Sequence, residues 1–388
     1  MSARHNPDDC DMPALPSPPA IITSSAQLAA LLETISTQPI IAVDTESNSL
    51  HAYKERVCLI QLSIPGQDYL IDPLTELDLS LLREVFADPA IEKVFHAADY
   101  DIVCLKRDFG FRFANLFDTM WAARILGWPK VGLGDVLRGV FGIHTNKHYQ
   151  RHNWGKRPLD ENALVYACLD THYLIPLRHI QADELRRQGR WEEAREVFDQ
   201  IAAVEPSFDT FSAEGFWHIK GVWELAPGEQ SILRELYVWR DKEARRQDCP
   251  PFKVLDDRTM VELARAAPRT IDELPGLRGM SSYRVQRYGQ RIIWAVKRGL
   301  SAEPPSPPPM PQRRPEKVVA RFRALQAWRK CQAERRGVDA DVILSNAVLW
   351  ALAERPPRSF EDLLRVEGLG PWKREAYGQA LLELLKEE

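Results

Sequence analysis

Residues 233–299 recur as residues 322–388, at a constant offset of 89 positions and without a gap. Trp239-Arg240 falls on Trp328-Arg329, Leu255 on Leu344, and Leu263-Ala264 on Leu352-Ala353. Pro268 falls on Pro357, Leu274 on Leu363, Gly279 on Gly368, and Tyr288-Gly289-Gln290 on Tyr377-Gly378-Gln379. So many matches in one register require the two segments to share a fold. Each copy is poor in strand signals and carries apolar residues at helical spacing. Each therefore reads as a small all-α domain, over 226–300 and 316–388. Residues 301–315 between them include EPPSPPPMPQRRP, a composition that favours an extended, semi-rigid linker.

The first half reads differently. Residues 1–20 are Pro-rich and polar, with no apolar core of a signal peptide, and are expected to be a disordered tail. Residues 21–215 alternate strand and helix patterns. Strands are expected over Ile40–Val43, Val57–Ile64, Asp68–Ile71, Glu92–His96 and Asn115–Asp118, with helices over Ala26–Ile35, Leu79–Phe86 and Tyr100–Arg107. From Thr119 onward helical patterns dominate. Strands first and helices later predict an α/β domain around a mixed β-sheet. No apolar stretch reaches the ~20 residues of a membrane span. None of the six cysteines forms a CxxC pair, which suits reduced thiols in a cytoplasmic protein.

Charge divides the chain as well. Residues 226–388 carry 30 Lys and Arg against 23 Asp and Glu, a net +7, while the remainder carries 21 against 32, a net −11. A basic half suits a polyanion, and an acidic half suits a cation site.

Asp44 and Glu46 close the apolar run Ile40-Ile41-Ala42-Val43. On a strand they share one face, about 7 Å apart. Two such carboxylates repel unless a positive charge lies between them, and a divalent cation answers that need. A strand end running into a polar turn gives the same letters. Asp101 follows the strand Glu92–His96 at the start of a helix, where a carboxylate can point over the sheet. Its rival Asp99 reads as a helix cap or first-turn acid. Tyr166 and Asp170 stand one helical turn apart in a largely apolar helix, where an acid needs a partner.

The order DxE, then Asp101, then YxxxD resembles the DEDD exonuclease superfamily in its Tyr-containing branch. The segments VDTE, CLIQLSI, VFHAADYDIVCL and WGKRPLDENALVYACLDTHYLIPL are similar to the ribonuclease D family in particular. The two C-terminal repeats resemble helicase-and-RNase-D C-terminal (HRDC) domains. The resemblance implies a ribonuclease-H-like α/β exonuclease domain followed by two HRDC domains. It implies a 3′→5′ exoribonuclease that releases 5′-mononucleotides with two divalent ions, Mg²⁺ or Mn²⁺. In that scheme Asp44 bridges the ions, Glu46 and Asp170 complete the first site, Asp101 supports the second, and Tyr166 orients the attacking water. The implied partner is RNA with a single-stranded 3′ end, in particular tRNA precursors, acted on by a cytoplasmic monomer with no small-molecule cofactor. Ser47 departs from the pattern, since many relatives carry Phe after the DTE.

Further substrate contacts are expected from His96 at a strand end, from Gln61 on the strand beside the DTE, and from Lys147, Arg151, Lys156 and Arg157. In the first repeat, a Gly-rich turn at Gly279 precedes Arg284, Arg287, Arg291, Lys297 and Arg298, a basic face suited to RNA. The corresponding turn at Gly368 and Gly370 belongs to a less basic copy, expected to serve packing. His144, His148 and His152 lie in a loop pattern without cysteines, so zinc is not expected. A DNA-directed exonuclease and a catalytically silent RNA-binding module are the alternative functions.

Overall fold

The computed structural model describes residues 18–145, 147–207, 210–309 and 313–386, with the side chains of Lys147 and His148 outside that description. Most of the expected N-terminal tail therefore lies outside the described residues. The chain divides into two compact units. One holds the segment up to Ser47, Val57–Pro206 and the chain from Arg313 onward; the other holds Asn48–Arg56 and Ser207–Gln312.

The first unit is built on a mixed six-stranded sheet. Its strands are β1 (Ala20–Ile22), β2 (Ile40–Ser47), β3 (Val57–Ile64), β4 (Gln67–Ile71), β5 (Glu92–Phe95) and β6 (Leu116–Asp118), in spatial order β1-β4-β3-β2-β5-β6. β3 runs antiparallel to both β2 and β4, while β5 and β6 continue parallel to β2. Ile41, Ala42 and Val43 are fully buried, because a central strand is covered on both faces. The short edge strand β1 had no sequence signal of its own; it is extended because it pairs with β4.

Helices α1 (Ser25–Ile35), α2 (Arg83–Ala87), α3 (Asp99–Phe109), α4 (Thr119–Leu126), α5 (Leu133–Phe141), α6 (Glu161–His172), α7 (Leu174–Arg187) and α8 (Trp191–Ala203) complete this domain. α1 begins on a capping box, with Ser24 and Gln27 reciprocating. The helix expected over Leu79–Phe86 is split into a 3₁₀ turn, Leu79–Leu82, and α2.

The second unit contains the first repeat: α9 (Pro227–Gln247), α10 (Pro251–Val254), α11 (Asp257–Ala266) and α12 (Ser282–Ser301). Its core includes Leu233, Leu236, Trp239, Leu263 and Ile292. Residues 207–215, read from sequence with the α/β domain, fall in this unit, where Phe211 stacks on Tyr237. The second repeat packs with the first unit: α13 (Glu316–Arg336), α14 (Ala340–Ile343), α15 (Asn346–Glu354), α16 (Phe360–Leu363) and α17 (Pro371–Lys386).

Among the described residues no helix is long and apolar enough to cross a membrane.

Candidate active site

β2 and β3 pair so that Asp44 opposes Gln61, Glu46 opposes Leu59 and Ala42 opposes Ser63. Directly opposed residues of an antiparallel pair share a face. That face is covered by α6. Leu59 lies in one apolar cluster with Ala163, Tyr166 and Ala167, and the Ser63 hydroxyl sits 2.7 Å from that of Thr171. Asp160 caps α6 by accepting from Ala163 N at 2.9 Å. Tyr166 and Asp170 are thereby brought over the Asp44–Glu46 face, and the two hydrogen-bond to each other. The rings of Trp154 and Tyr149 back the phenol, with centroids 6.1 and 5.7 Å away.

Asp101 arrives from the opposite side. Between β5 and α3 the chain turns through Ala97, whose φ of 64° is left-handed and unfavourable for a residue with a Cβ. The fully buried Asp118 holds this turn. It accepts from Ala97 N and Ala98 N at 3.2 and 2.7 Å, and caps α4 through Met120 N and Trp121 N at 2.8 and 2.9 Å. Asp101 is buried in the first turn of α3, where its carboxylate accepts from the Thr45 hydroxyl. Asp99 is exposed in the same turn, the first-turn acid expected of it. The next residue, Tyr100, is half exposed, with its hydroxyl 3.3 Å from Ser47 Oγ.

Electrostatics mark the four acids as one group. Burial raises the Asp44 pKa well above the usual carboxylate range, and Asp101, Asp170 and Glu46 push it further. Glu46 is pushed up to about 9, by burial and then by Asp170 and Asp101. Burial also raises Asp170 and Asp101, against the hydrogen bonds from Tyr166 and Thr45 respectively. Burial and the surrounding acids hold the Tyr166 phenol far above its ordinary value, so it remains a hydrogen-bond donor. Carboxylates that disfavour one another's charge this strongly suit a hard, oxygen-seeking cation. Among the described residues no three or more His, Cys, Asp or Glu side chains are close enough together, as they stand, to hold a metal ion.

Several expected substrate contacts take other roles. His96 is enclosed, hydrogen-bonded through Nδ1 to Thr119 Oγ1 at 2.8 Å, and burial pushes its pKa down to about 4. Gln61 is fully buried, so it cannot touch substrate directly. Arg157 is a structural clamp: it grips Asp72 through Nε and Nη2 at 2.6 and 2.8 Å and donates to the carbonyls of Cys58 and Trp154 at 2.7 Å. Lys156 is exposed, and the Lys147 side chain lies outside the described residues. In the first repeat Arg284 is drawn into the fold by Gly279 O at 2.7 Å and Asp256 at 3.2 Å. Arg287 stays on the surface against the rings of Tyr283 and Tyr288. Arg291 and Arg298 are paired with Glu243 and Glu235.

Thr45 and Asp118 were not singled out from sequence. The acid at the end of a strand, followed by Thr119 and a helical pattern, is a helix-cap signal that would have found Asp118.

Residues 19–186 match the 3′-5′ exonuclease family, and residues 229–296 and 319–385 each match the HRDC domain. Ribonuclease D of Nitrobacter hamburgensis is 27% identical over 94% of this chain and 94% of its own. The exosome complex exonuclease RRP6 of Saccharomyces cerevisiae is 34% identical over 65% of this chain, which spans 37% of that protein. The crystal structure of Escherichia coli RNase D, described as an exoribonuclease involved in structured RNA processing, superposes with a TM-score of 0.65 at 25% identity. That superposition covers 96% of this chain and 99% of the other.

Proposed function

We propose, for a chain that belongs to the ribonuclease D family of 3′-5′ exonucleases, a two-ion hydrolysis of RNA carried by Asp44, Glu46, Asp101 and Asp170. The protein is a hydrolase, a 3′-5′ exoribonuclease. The observation that carries the site assignment is the convergence of four mutually repelling acids from β2, α3 and α6 beside one protonated phenol.

The donor set is all carboxylate, which suits Mg²⁺ or Mn²⁺. Asp44, whose charge all three other acids disfavour, would be shared by both ions, with Glu46 and Asp170 holding one and Asp101 the other. Two divalent ions held there would supply activation of the nucleophile and stabilisation of the departing 3′-oxygen. The chain's own residues do the positioning. Tyr166 donates a hydrogen bond and fixes the line of attack on the terminal phosphodiester. Its raised pKa suits it to orient rather than to take a proton. Tyr100 presents the half-exposed aromatic face next to Asp101, where a terminal base can stack.

The products are nucleoside 5′-monophosphates, released one at a time from a single-stranded 3′ end. The substrate class is precursors of tRNA and other small stable RNAs, processed by a cytoplasmic monomer. The exposed Arg287 and Lys297 in the first repeat hold RNA through its phosphates.

The test is divalent-ion-dependent release of mononucleotides from a labelled single-stranded RNA, with the matching DNA as a second arm. Asp44→Asn is the control. Activity surviving in that variant excludes the proposed site, and equal rates on both sugars exclude RNA selectivity.

A further inference from the structure

Gln61 is a side chain of the crevice whose chemistry the reaction scheme leaves unused. It is 0% exposed, and neither its amide nitrogen nor its carbonyl oxygen has a hydrogen-bond partner. A buried carboxamide without partners costs about 1–3 kcal/mol for each lost bond. Ordinary core glutamines avoid this at least in part: Gln181, equally buried, donates to Thr119 O at 2.8 Å.

Its place in the sheet is specific. Gln61 is the cross-strand partner of Asp44, so the two side chains leave the same face with Cβ atoms about 5 Å apart. Its neighbours along that face, Leu59 and Ser63, pack on or hydrogen-bond to α6. The carboxamide therefore lies in the layer between β2, β3 and α6, where the acids meet. A Leu or Met there fills the same volume without the polar cost.

We propose that Gln61 is a positioning residue for the cation site. With ions in the site, its side-chain N–H, unpartnered as the structure stands, turns to the Asp44 carboxylate and holds one oxygen aside, so that the other faces the ions. The inference rests on the two-ion reading above. It assigns to the buried face of Asp44 the part that Thr45 plays for Asp101. Ligating carboxylates are commonly oriented by such outer partners, whose loss weakens metal affinity about 10–100-fold.

The test is Mn²⁺ binding to the full chain without RNA, followed by calorimetry or by electron paramagnetic resonance of free Mn²⁺. Wild type, Gln61→Met, Asp44→Asn and the double variant are compared. Gln61→Met is expected to raise the Mn²⁺ dissociation constant about tenfold, while the melting temperature without metal stays level or rises. In the Asp44→Asn background the same change is expected to have no further effect. Gln61→Met binding Mn²⁺ within about twofold of wild type, while Asp44→Asn abolishes binding, overturns the proposal and leaves the two-ion reading intact. Asp44→Asn binding like wild type overturns the two-ion reading itself. Should Gln61→Met not fold, Gln61→Asn decides by the same criterion, because it keeps an amide but withdraws it from Asp44.

Discussion

The Thr45 hydroxyl donates to the Asp101 carboxylate, tying the strand that carries Asp44 and Glu46 to the helix that carries the third acid. Thr45 lies between the two β2 acids and points to the other side of the strand, so one strand orients three carboxylates. The bond also opposes the upward shift that burial imposes on Asp101. Thr45→Val is expected to lower kcat roughly tenfold and to move the acid limb of the pH–rate profile upward. Thr45→Ser is expected to restore both. Steady-state rates across pH decide it; a Val variant with the wild-type profile excludes the role.

The acid cluster sets the pH dependence of the metal-free protein. Glu46 titrates near 9 when folded, against an ordinary value of 4.5, and Asp44, Asp101 and Asp170 are raised as well. Between those limits the folded state binds more protons than the unfolded chain. Stability without metal therefore falls as pH rises across that window. A divalent cation takes the deprotonated form and reverses the trend. The melting-temperature gain from saturating Mg²⁺ is expected to be larger at pH 8 than at pH 5. An equal gain at both pH values counts against these residues as ligands.

Asp118 supports the site from below. Four backbone N–H groups from two helix starts converge on its carboxylate, and the left-handed Ala97 depends on two of them. Asp118→Ala is expected to cost about 3 kcal/mol in chemical denaturation and to reduce activity through misplacement of Asp101. Retained stability would refute the support role.

The acids were legible because their chemistry needs fixed residue types at fixed local spacings: Asp44 and Glu46 on one strand, Tyr166 and Asp170 on one helical turn. β2, β3 and α6 follow from apolar runs and caps that local physics dictates. Arg157, His96 and Arg284 have partners within the fold that the sequence hides, for a shared reason. A charged or titratable side chain near a site looks available in sequence, yet its partners Asp72, Thr119 and Asp256 lie 23 to 85 positions away. Only the fold reveals that the donors are already engaged. The same holds for Thr45, whose value depends on a helix 56 positions later.

Tyr166 is assigned orientation rather than proton transfer, and that distinction is measurable. Tyr166→Phe keeps the ring that packs between Trp154 and Tyr149 but removes the donor to Asp170. The expected result is a loss in kcat of roughly 10²-fold, with Mn²⁺ affinity and melting temperature close to wild type. A variant that loses Mn²⁺ binding in parallel would make Tyr166 part of the cation site instead.

The two repeats diverge at the positions that anchor the second one. In the first copy Ser281 caps α12 itself, accepting from Arg284 N at 3.3 Å. The equivalent residue of the second copy is Gly370, and the start of α17 is capped instead by Glu196 of α8, which accepts from Trp372 N and Lys373 N at 2.6 and 3.3 Å. A Cβ on Gly370 would meet the Glu196 carboxyl carbon at 2.1 Å, so the glycine makes room for the docking acid. This Gly-rich turn is therefore closed to phosphate. Gln247 in the first copy corresponds to Arg336 in the second. Both bond the equivalent tyrosine, Gln247 to Tyr288 at 3.0 Å and Arg336 to Tyr377 at 2.7 Å, but Arg336 also grips the fully buried Glu193 of α8. Breaking a buried pair from one side leaves a bare charge, so Glu193→Ala is expected to cost about 3–5 kcal/mol. Gly370→Ser restores a self-capping helix yet expels Glu196, and is expected to cost about 1–3 kcal/mol without unfolding the repeat. Limited proteolysis around residues 313–336 reads both. Cleavage as slow as in wild type would show that these contacts do not hold the second repeat in place.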